Sequence, residues 1–449
     1  MLESLAEGGL SAELFDAIKL NPSGANVEAG VEDYRKGGCE HMLGVQGHPE
    51  FTPGYARDLM HTRLDRIPPV LHRHRDPVGP IENNHPTPPG SFAIRKLIPA
   101  ALAAVVCACT GTGESLAKPG QDRQWRALHI GCSNDDDLRA LEKRMPGLGD
   151  IGINVLIVEV GYGFEYKSHP ELRGGKNPIT KGSARKLAGI CRDHGIRLVP
   201  QFQCVAHQSG VNGGPTAPLL TKYPEFDLTP GAFPGNKGIY CREWDPLNPK
   251  VNKIVFALMD ELIDAFQADA FHVGMDEVFL LGNEHSPSTR GKDPARIFAK
   301  AINDYHGHLV KKRHVEMLMW GDRLIDGKKF DFGPLSSSLC GTAPAIDMIP
   351  NDIIICDWQY DLRSAYGEIP MFIRKGFRVI TASYDNVNAT KALIGYGQKQ
   401  KSPLVSGHIF TTWALNRDKW TMNNGGKHYP LPESPPIVEG LKLLLESGQ

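Results

Sequence analysis

Two adjacent acids, Asp276 and Glu277, have the residue types and the spacing best suited to chemistry on a substrate. They follow the mostly apolar run 270–275 and precede a second apolar run, 278–281. Side chains alternate between the faces of a strand, so adjacent acids share one pocket only where a strand ends and the backbone turns. In a partly desolvated pocket both cannot ionise freely, and the pKa of one should rise. A carboxylic acid beside a carboxylate can break a glycosidic bond; without supporting context, the same pair would be the solvated start of a helix.

The composition is that of an ordinary globular protein and argues against some partners. The 449 residues carry a formal net charge of −1 without a basic stripe, so we expect no nucleic-acid partner and favour neutral small molecules or glycans. The nine cysteines include no Cys-x-x-Cys pair and no zinc-type spacing. Cys204 and Cys356 lie in apolar runs, where a reduced core thiol is expected.

Residues 1–90 differ from the rest of the chain. The segment 67–91 is polar and proline-rich, which is typical of a linker or a disordered tract. Residues 43–51, Leu-Gly-Val-Gln-Gly-His-Pro-Glu-Phe, resemble the closing motif of class I glutamine amidotransferases, and the resemblance extends to about residue 66. In that family the His-Pro-Glu supplies a base and its orienting acid, but no nucleophile elbow carrying a cysteine precedes it here. A triad without its nucleophile performs no acyl transfer, so we expect an inert, poorly ordered extension.

The segment 91–118 has the pattern of an export signal followed by a linker. Arg95 and Lys96 precede the apolar run 97–106, which is too short to span a membrane as a mature helix. The sequence Val-Cys-Ala-Cys ending at Cys109 approximates a bacterial lipoprotein cleavage box, with Cys109 as the candidate lipid site. Translation that begins near residue 90 would place this signal at the N-terminus. We therefore expect an exported, periplasmic or lipid-anchored bacterial protein; if the segment is an ordinary buried helix, we expect a cytoplasmic one.

From residue 119 to residue 449 the pattern becomes an alternation of strands and helices, which favours a parallel α/β architecture. Helical spacing of apolar residues follows the Asn-Pro and Asp-Pro pairs at 248–249 and 293–294, as expected for capped helices. The predicted strands are 127–130, 154–160, 197–202, 270–274, 316–320, 352–356, 377–381 and 408–413. This order predicts a single TIM (β/α)8 barrel, preceded by a mostly irregular N-terminal extension.

In such a barrel the chemistry takes place at the C-terminal ends of the strands. This chain places polar and aromatic side chains there repeatedly, and three of its six tryptophans lie at predicted strand ends. The face of a tryptophan ring packs well on the C–H face of a sugar. The candidates beside the two acids are Glu159, His207, Trp320, Asp322, Trp358, Tyr384 and Trp413.

The run Phe-His-Val-Gly-Met-Asp-Glu, residues 271–277, resembles the His-x-Gly-x-Asp-Glu signature of glycoside hydrolase family 20, the β-N-acetylhexosaminidases. The resemblance covers about 119–449. Further segments are similar to the hexosaminidase D-type branch and occur in the order of the family: 154–166, 195–207, 276–282, 318–322 and 412–413.

The resemblance implies an exo-acting enzyme that cleaves terminal N-acetylhexosamines by substrate-assisted, retaining hydrolysis. Glu277 would protonate the glycosidic oxygen while the 2-acetamido oxygen of the substrate attacks the anomeric carbon. Asp276 would hold the acetamido N–H, and Tyr384 could donate to the acetamido oxygen. No metal or other cofactor is needed.

The resemblance also implies roles for the remaining candidates. The three tryptophans, Trp320, Trp358 and Trp413, would wall the pocket. Glu159 and His207 would bind sugar hydroxyls or orient the acids, and Asp322 is a further candidate for substrate binding. His272, inside the predicted fourth strand, is expected to be a core histidine whose hydrogen bonds are satisfied.

Two departures from the family pattern leave the sugar open. The family often carries an arginine at strand one that grips the non-reducing sugar, and the surroundings of Arg126 do not match that position. Met275 replaces a small residue that commonly precedes the acids. N-acetylglucosamine, N-acetylgalactosamine and other hexosides therefore all remain open. The alternatives are a family-20-like glycosidase for a hexoside without an acetamido group, and a catalytically inactive glycan-binding barrel.

Overall fold

The computed structural model describes residues 124–446, whose centre is a closed barrel of strands β1–β8. Each strand pairs in parallel with the next, and β1 closes the barrel against β8. The strands are β1 Trp125–Gly131, β2 Val155–Glu159, β3 Arg197–Cys204, β4 Ala270–Gly274, β5 Glu316–Trp320, β6 Ile354–Trp358, β7 Arg378–Ser383 and β8 Val405–Thr411. The predicted TIM barrel is confirmed.

The strands read as nearly continuous apolar runs because both of their faces are buried. One set of side chains fills the barrel interior, among them Ile157, Val199 and Leu318. The alternate set packs outward against the helices, as Leu156 and Phe271 do. This alternation is the period-two pattern of a strand with a core on each side.

The two longest helices that the sequence predicted begin at polar caps. The side chain of Asn248 accepts the N–H of Lys250, and that of Asp293 accepts the N–H of Ala295, so the two predicted caps are confirmed. The helices are α1 Asp135–Glu142, α2 Met145–Asp150, α3 Lys181–Asp193, α4 Pro218–Lys222, α5 Pro249–Phe266, α6 Pro294–His306, α7 Gly327–Phe330, α8 Glu368–Arg374, α9 Val387–Lys399 and α10 Pro435–Glu446. No helix within residues 124–446 is long and apolar enough to cross a membrane.

Long connections leave the C-terminal ends of the strands, where a TIM barrel carries its site. The connection 205–248 after β3 is held internally by Arg242, which is 7% exposed. Its guanidinium donates to Asn236 and Asp227 and to the backbone carbonyls of Ala232 and Phe233. After β8 the chain forms a small antiparallel sheet, β9 Leu415–Asn416, β10 Thr421–Asn424 and β11 Lys427–Pro430.

Several predicted boundaries differ from those observed. Residues 352–353, predicted to begin the sixth strand, precede β6, and β8 ends at Thr411 rather than at residue 413. Apolar character continues past the strand, as at buried Ile353 and at exposed Trp413, so it does not mark the last ladder hydrogen bond. The amidotransferase-like motif at 43–66 and the signal-like segment at 94–109 lie outside the described residues.

Candidate active site

The two central acids lie where β4 ends and its backbone leaves the strand. Gly274, Met275 and Glu277 have φ angles of +67°, +72° and +51°. These left-handed angles break the alternation of the strand, as predicted, and both acids reach the same imidazole. A Cβ atom at Gly274 would overlap the side-chain amide of Gln203, which makes glycine necessary at this position.

His207 is the group that joins the two acids. Its Nε2 lies 3.5 Å from Oδ2 of Asp276 and 3.1 Å from Oε2 of Glu277. Burial disfavours a charged imidazole, but neighbouring Cys241, the charge of Asp276 and the close approach of both acids raise the pKa of His207 well above 6.5. We therefore describe His207 as an imidazolium between two carboxyl groups.

The pKa of Asp276 is lowered, so Asp276 is not the acid of the pair in which crowding raises the pKa. Burial alone raises the pKa of Asp276, but the charge and hydrogen bond of His207 lower it, as does the amide of Gln203. The Nε2 of Gln203 donates to Oδ1 of Asp276 at 2.5 Å. The net pKa of Asp276 is below its ordinary value, because a cation and a donor face this carboxylate from β3 and the connection after it.

Asp322 is buried under the site and accepts hydrogen bonds from three of its residues. Its Oδ2 accepts the backbone N–H of Glu277 at 2.9 Å and the Nε–H of Arg323 at 2.7 Å. Its Oδ1 accepts the indole N–H of Trp358 at 3.3 Å. The side chains of Asp322 and Arg323 are 0% exposed, so the burial of Asp322 supports positioning of Glu277 and Trp358 rather than the predicted contact with substrate. Burial raises the pKa of Asp322 to about 6.

Four aromatic residues at or just after the C-terminal ends of β6, β7 and β8 line one side of the site. Trp413 is 46% exposed, and its Nε1–H donates to the hydroxyl of Tyr360 at 2.7 Å. The ring of Tyr360 lies 5.0 Å from that of Trp358 and 5.4 Å from that of Tyr384. These four residues form a continuous surface of rings, which we call the aromatic wall.

Glu159 joins the site through a buried histidine. Its carboxylate lies 3.6 Å from Nε2 of His129, whose ring lies 4.7 Å from that of Trp413 and 5.4 Å from that of Trp320. Burial, together with the charge of Asp276, raises the pKa of Glu159 to about 7.

Trp320 and His272 are packed inside the barrel, with ring centres 4.6 Å apart. Trp320 is 1% exposed, so it underlies the site rather than forming an open wall. Nδ1 of His272 accepts the N–H of Gly274, whereas Nε2 has no partner among the described residues. His272 is thus a core histidine, as predicted, but it is satisfied at only one nitrogen.

All of the predicted site residues meet at one end of the barrel. The contacts run from Glu159 to the aromatic wall, from there through Asp322 to Glu277, and then to His207. Arg126 does not join them, because it bonds to Gly152 near the opposite end of β1.

Sequence reasoning assigned no role in the site to three residues that shape it. Tyr360 holds Trp413, and Gln203 holds Asp276. Glu243, which is 0% exposed, accepts the N–H of Phe279 and of Leu280 just after the acids. Gln203 and Tyr360 were recognised only as residues at the ends of the third and sixth predicted strands. Glu243 was not recognised, because it lies in a long connection whose path no local pattern predicts.

A buried acid pair lies behind the site. Asp357 on β6 and Glu368 at the start of α8 are each 0% exposed. Burial raises the pKa of each carboxyl group, and the proximity of the other acid raises it further for Glu368. The pair therefore retains a proton under conditions in which exposed acids are ionised.

The site offers one possible set of metal ligands. His207, Asp276 and Glu277 each place a ligand atom within 4.8 Å of the others. A metal requires a neutral imidazole, whereas the raised pKa of His207 favours a proton on the ring. The electrostatics of these residues thus favour a protonated His207 over a bound metal ion.

A (β/α)8 barrel whose mouth holds two adjacent acids and an aromatic wall belongs to the class of barrel enzymes suited to glycoside chemistry. The model of "Glycosyl hydrolase family 20, catalytic domain" matches residues 128–421. The chain belongs to glycosyl hydrolase family 20, a family of glycosidases, and the resemblance in its sequence is confirmed at this level. Assignment to the D-type branch stays a prediction.

Individual relatives are distant. A β-hexosaminidase of Emericella nidulans is 23% identical over 272 residues, which are 55% of this chain and 41% of that protein. The chain therefore spans less than half of the length of this relative. A Flavobacterium johnsoniae chitobiase structure is 18% identical with a TM-score of 0.49, over 72% of this chain and 52% of that one. A Vibrio harveyi exo-β-N-acetylglucosaminidase structure is 13% identical with a TM-score of 0.49, over 71% of this chain and 54% of that one.

Proposed function

We propose that this protein is an exo-acting β-N-acetylhexosaminidase that releases terminal N-acetylglucosamine or N-acetylgalactosamine with retention of configuration. The observation that carries the proposal is the contact of one imidazole, His207, with both Asp276 and Glu277. Gln203 in addition donates to Asp276, whereas the backbone N–H of Glu277 is held by Asp322, so the two adjacent acids have different surroundings, as an acid and an ionised acceptor require.

Asp276 suits the role of the ionised acceptor. Its lowered pKa keeps it a carboxylate, and a carboxylate accepts hydrogen bonds but donates none. Placed against the acetamido N–H of the sugar, it would orient the acetamido oxygen towards the anomeric carbon. It would also stabilise the positive charge that develops on the nitrogen as the oxygen attacks.

Glu277 suits the role of general acid and then of general base. Its proton passes to the glycosidic oxygen as the bond from that oxygen to the anomeric carbon breaks and the acetamido oxygen closes an oxazoline ring. Glu277 next takes a proton from the water that attacks the anomeric carbon and reopens the ring. Two displacements on one carbon give net retention.

The aromatic wall supports binding of the sugar. Exposed Trp413 offers a ring face to the C–H face of a pyranose, and its hydrogen bond to Tyr360 fixes the tilt of that ring. Glu159, beside His129, provides a carboxyl group for a sugar hydroxyl next to Trp413.

The proposal is tested by hydrolysis of aryl β-N-acetylglucosaminide and aryl β-N-acetylgalactosaminide by the full chain. We expect turnover by the parent and a loss of at least about a hundredfold in Glu277→Gln, because general acid catalysis contributes about 10²–10⁴-fold. Glu284→Gln, in the same connection but with a side chain 74% exposed, is the matched control and should retain parental rates. A folded parent that turns over neither glycoside contradicts the proposal.

Substrate assistance makes a separate prediction. A thiazoline that mimics the oxazoline should inhibit the parent strongly, because a mimic of an on-pathway intermediate uses the interactions of the transition state. Its affinity should fall in Asp276→Asn, which cannot accept as a carboxylate. Turnover of hexosides without an acetamido group, at rates insensitive to the thiazoline, would instead support the alternative glycosidase.

We further infer that the segment 94–109 directs export, with Cys109 as a lipid site. The support is the positive flank at Arg95 and Lys96 before the apolar run 97–106. In a bacterial host the chain that begins near residue 90 should partition to membranes and incorporate labelled fatty acid, whereas its Cys109→Ser variant should incorporate none and its Cys107→Ser variant should behave as the parent. Recovery of unlabelled parent from the cytoplasm would contradict this inference.

A further inference from the structure

The position of Glu277 fixes where the leaving group of a substrate must lie. The proton of Glu277 goes to the glycosidic oxygen, so the departing group lies against the surface beside this acid. The aromatic wall occupies the side formed by β6, β7 and β8. The other side is formed by the connections that follow β3 and β4, which carry His207 and Glu277 themselves.

Two further aromatic rings adjoin the acids on that second side. The ring of Tyr240 lies 5.9 Å from that of His207 at an interplanar angle of 80°, and 5.7 Å from that of Phe279 at 83°. His207 in turn lies 3.1 Å from Glu277. Tyr240 and Phe279 are half-buried, so each retains an accessible part beside the site. Their edge-to-face contact is a favoured geometry for aromatic pairs.

The backbone around these rings is fixed by buried groups. The carboxylate of Glu243 accepts the N–H of Phe279 at 2.5 Å and of Leu280 at 2.8 Å, which ties the connection after β3 to that after β4. Next to Tyr240 in the chain, Sγ of Cys241 accepts the N–H of His207 at 3.2 Å. A surface held in this way loses little conformational entropy when a ligand binds.

The charges near the two rings are turned away from solvent. Arg323 lies 4.6 Å from the ring centre of Phe279 but is 0% exposed and is paired with Asp322. Glu243 is also 0% exposed. The charge of His207, which is a quarter exposed, is paired with the two acids, so the surface next to Glu277 presents rings and paired charges, which suits an uncharged sugar.

We propose that Tyr240 and Phe279 form an aglycone subsite, which binds the second pyranose ring of a β-linked glycan by aromatic packing. The proposal rests on the proposed function, since it requires a sugar in the pocket beside Glu277. It deepens that function by assigning a substrate class: glycans in which the terminal N-acetylhexosamine is joined to another neutral sugar, in preference to glycosides with a small leaving group.

The test compares two glycosides that differ only in their occupancy of this subsite. Values of kcat/KM are measured for the β-linked disaccharide of N-acetylglucosamine and for methyl β-N-acetylglucosaminide, with the full chain. Tyr240→Ala should lower kcat/KM for the disaccharide about tenfold, which corresponds to ~1.4 kcal/mol, and change that for the methyl glycoside less than about twofold. Tyr240→Phe keeps the ring and should retain most of the preference for the disaccharide.

Phe279→Leu should show the same selective loss, whereas Phe233→Ala should not. Phe233 lies in the same connection after β3, but its ring packs 5.2 Å from exposed His285 and not beside the acids. Equal losses on both glycosides, or no loss on either, would overturn the subsite and leave the proposed function standing. Absence of turnover of both glycosides by the folded parent would refute the proposed function and the subsite together.

Discussion

Replacing Asp322 by asparagine removes one charge and creates a conflict that no rotation of the amide resolves. Both carboxylate oxygens of Asp322 accept hydrogen bonds, Oδ2 from Glu277 and Arg323 and Oδ1 from Trp358. An amide has one oxygen and one NH2 group. Whichever way it is turned, its NH2 faces another N–H donor, in a place where the side chain is 0% exposed.

The loss of stability follows from the groups that asparagine leaves unpaired. Removing the carboxylate partner of a buried guanidinium costs about 3–5 kcal/mol, and an unsatisfied buried donor costs ~1–3 kcal/mol. Arg323 keeps its bonds to the carbonyls of Pro334 and Leu335, so we take the low end, about 3 kcal/mol. At about 1.5 °C per kcal/mol for a domain of this size, the Tm should fall by about 4–5 °C.

Asp322→Asn should also lower activity, through the position of Glu277 rather than through the loss of stability. Asp322 holds the backbone of Glu277 and the indole of Trp358, and misplacement of a catalytic group by about 1 Å can cost ~10²-fold. We therefore expect Asp322→Asn to lower kcat by about a hundredfold in assays well below its Tm, with a smaller change in KM. A rise in KM alone, at unchanged Tm, would refute the reasoning and would support direct binding of substrate by Asp322.

The control for this experiment is Asp326→Asn, four residues further along the chain. Asp326 is exposed and its Oδ1 accepts the N–H groups of Lys328 and Lys329. Asparagine is an equally good helix cap, so the Tm and the kinetic constants should remain those of the parent.

Three further predictions address the aromatic wall, the imidazolium and the buried acid pair. Tyr360→Phe should raise KM about fivefold with kcat within about twofold, because Trp413 loses a hydrogen bond worth ~1 kcal/mol; unchanged sugar binding in a titration would contradict this role. His207→Ala removes the charge that lowers the pKa of Asp276, so the acid limb of the pH profile of kcat/KM should move to higher pH, and a fixed limb would exclude this coupling. Glu368 has a raised pKa, so the folded state binds more protons than the unfolded state above the ordinary value of 4.5 and stability falls as pH rises. Glu368→Gln removes this loss, so the free energy of unfolding of the variant relative to the parent should increase by up to about 1.4 kcal/mol per pH unit, and its relative Tm should increase with it. A difference in Tm that is constant with pH would contradict this prediction.

The sequence by itself determined the barrel and the location of its site. Apolar runs and capped amphipathic helices are local patterns, and their alternation leaves a parallel barrel as the simplest arrangement. Because the strands of a parallel barrel all end at one mouth, Asp276, Glu277 and Trp413 could be grouped together without knowledge of a single contact.

Only the tertiary structure decided the electrostatics of the acids. Proximity along the chain suggested mutual repulsion, yet Asp276 has a lowered pKa because Gln203 and His207 approach it from another strand and its connection. A pKa depends on burial and on charges within a few ångströms, and the residues that supply them here are distant in sequence.

The tertiary structure also decided which polar groups face the substrate and which face the core. Asp322 was expected at the surface of the pocket but is sealed beneath it, and Tyr240 reaches the acids from within a long connection. The course of such a connection is set by side chains that bond across it, as Arg242 and Glu243 do. Local sequence patterns encode hydrogen bonding and apolar periodicity within an element, whereas these contacts exist only once the barrel has closed.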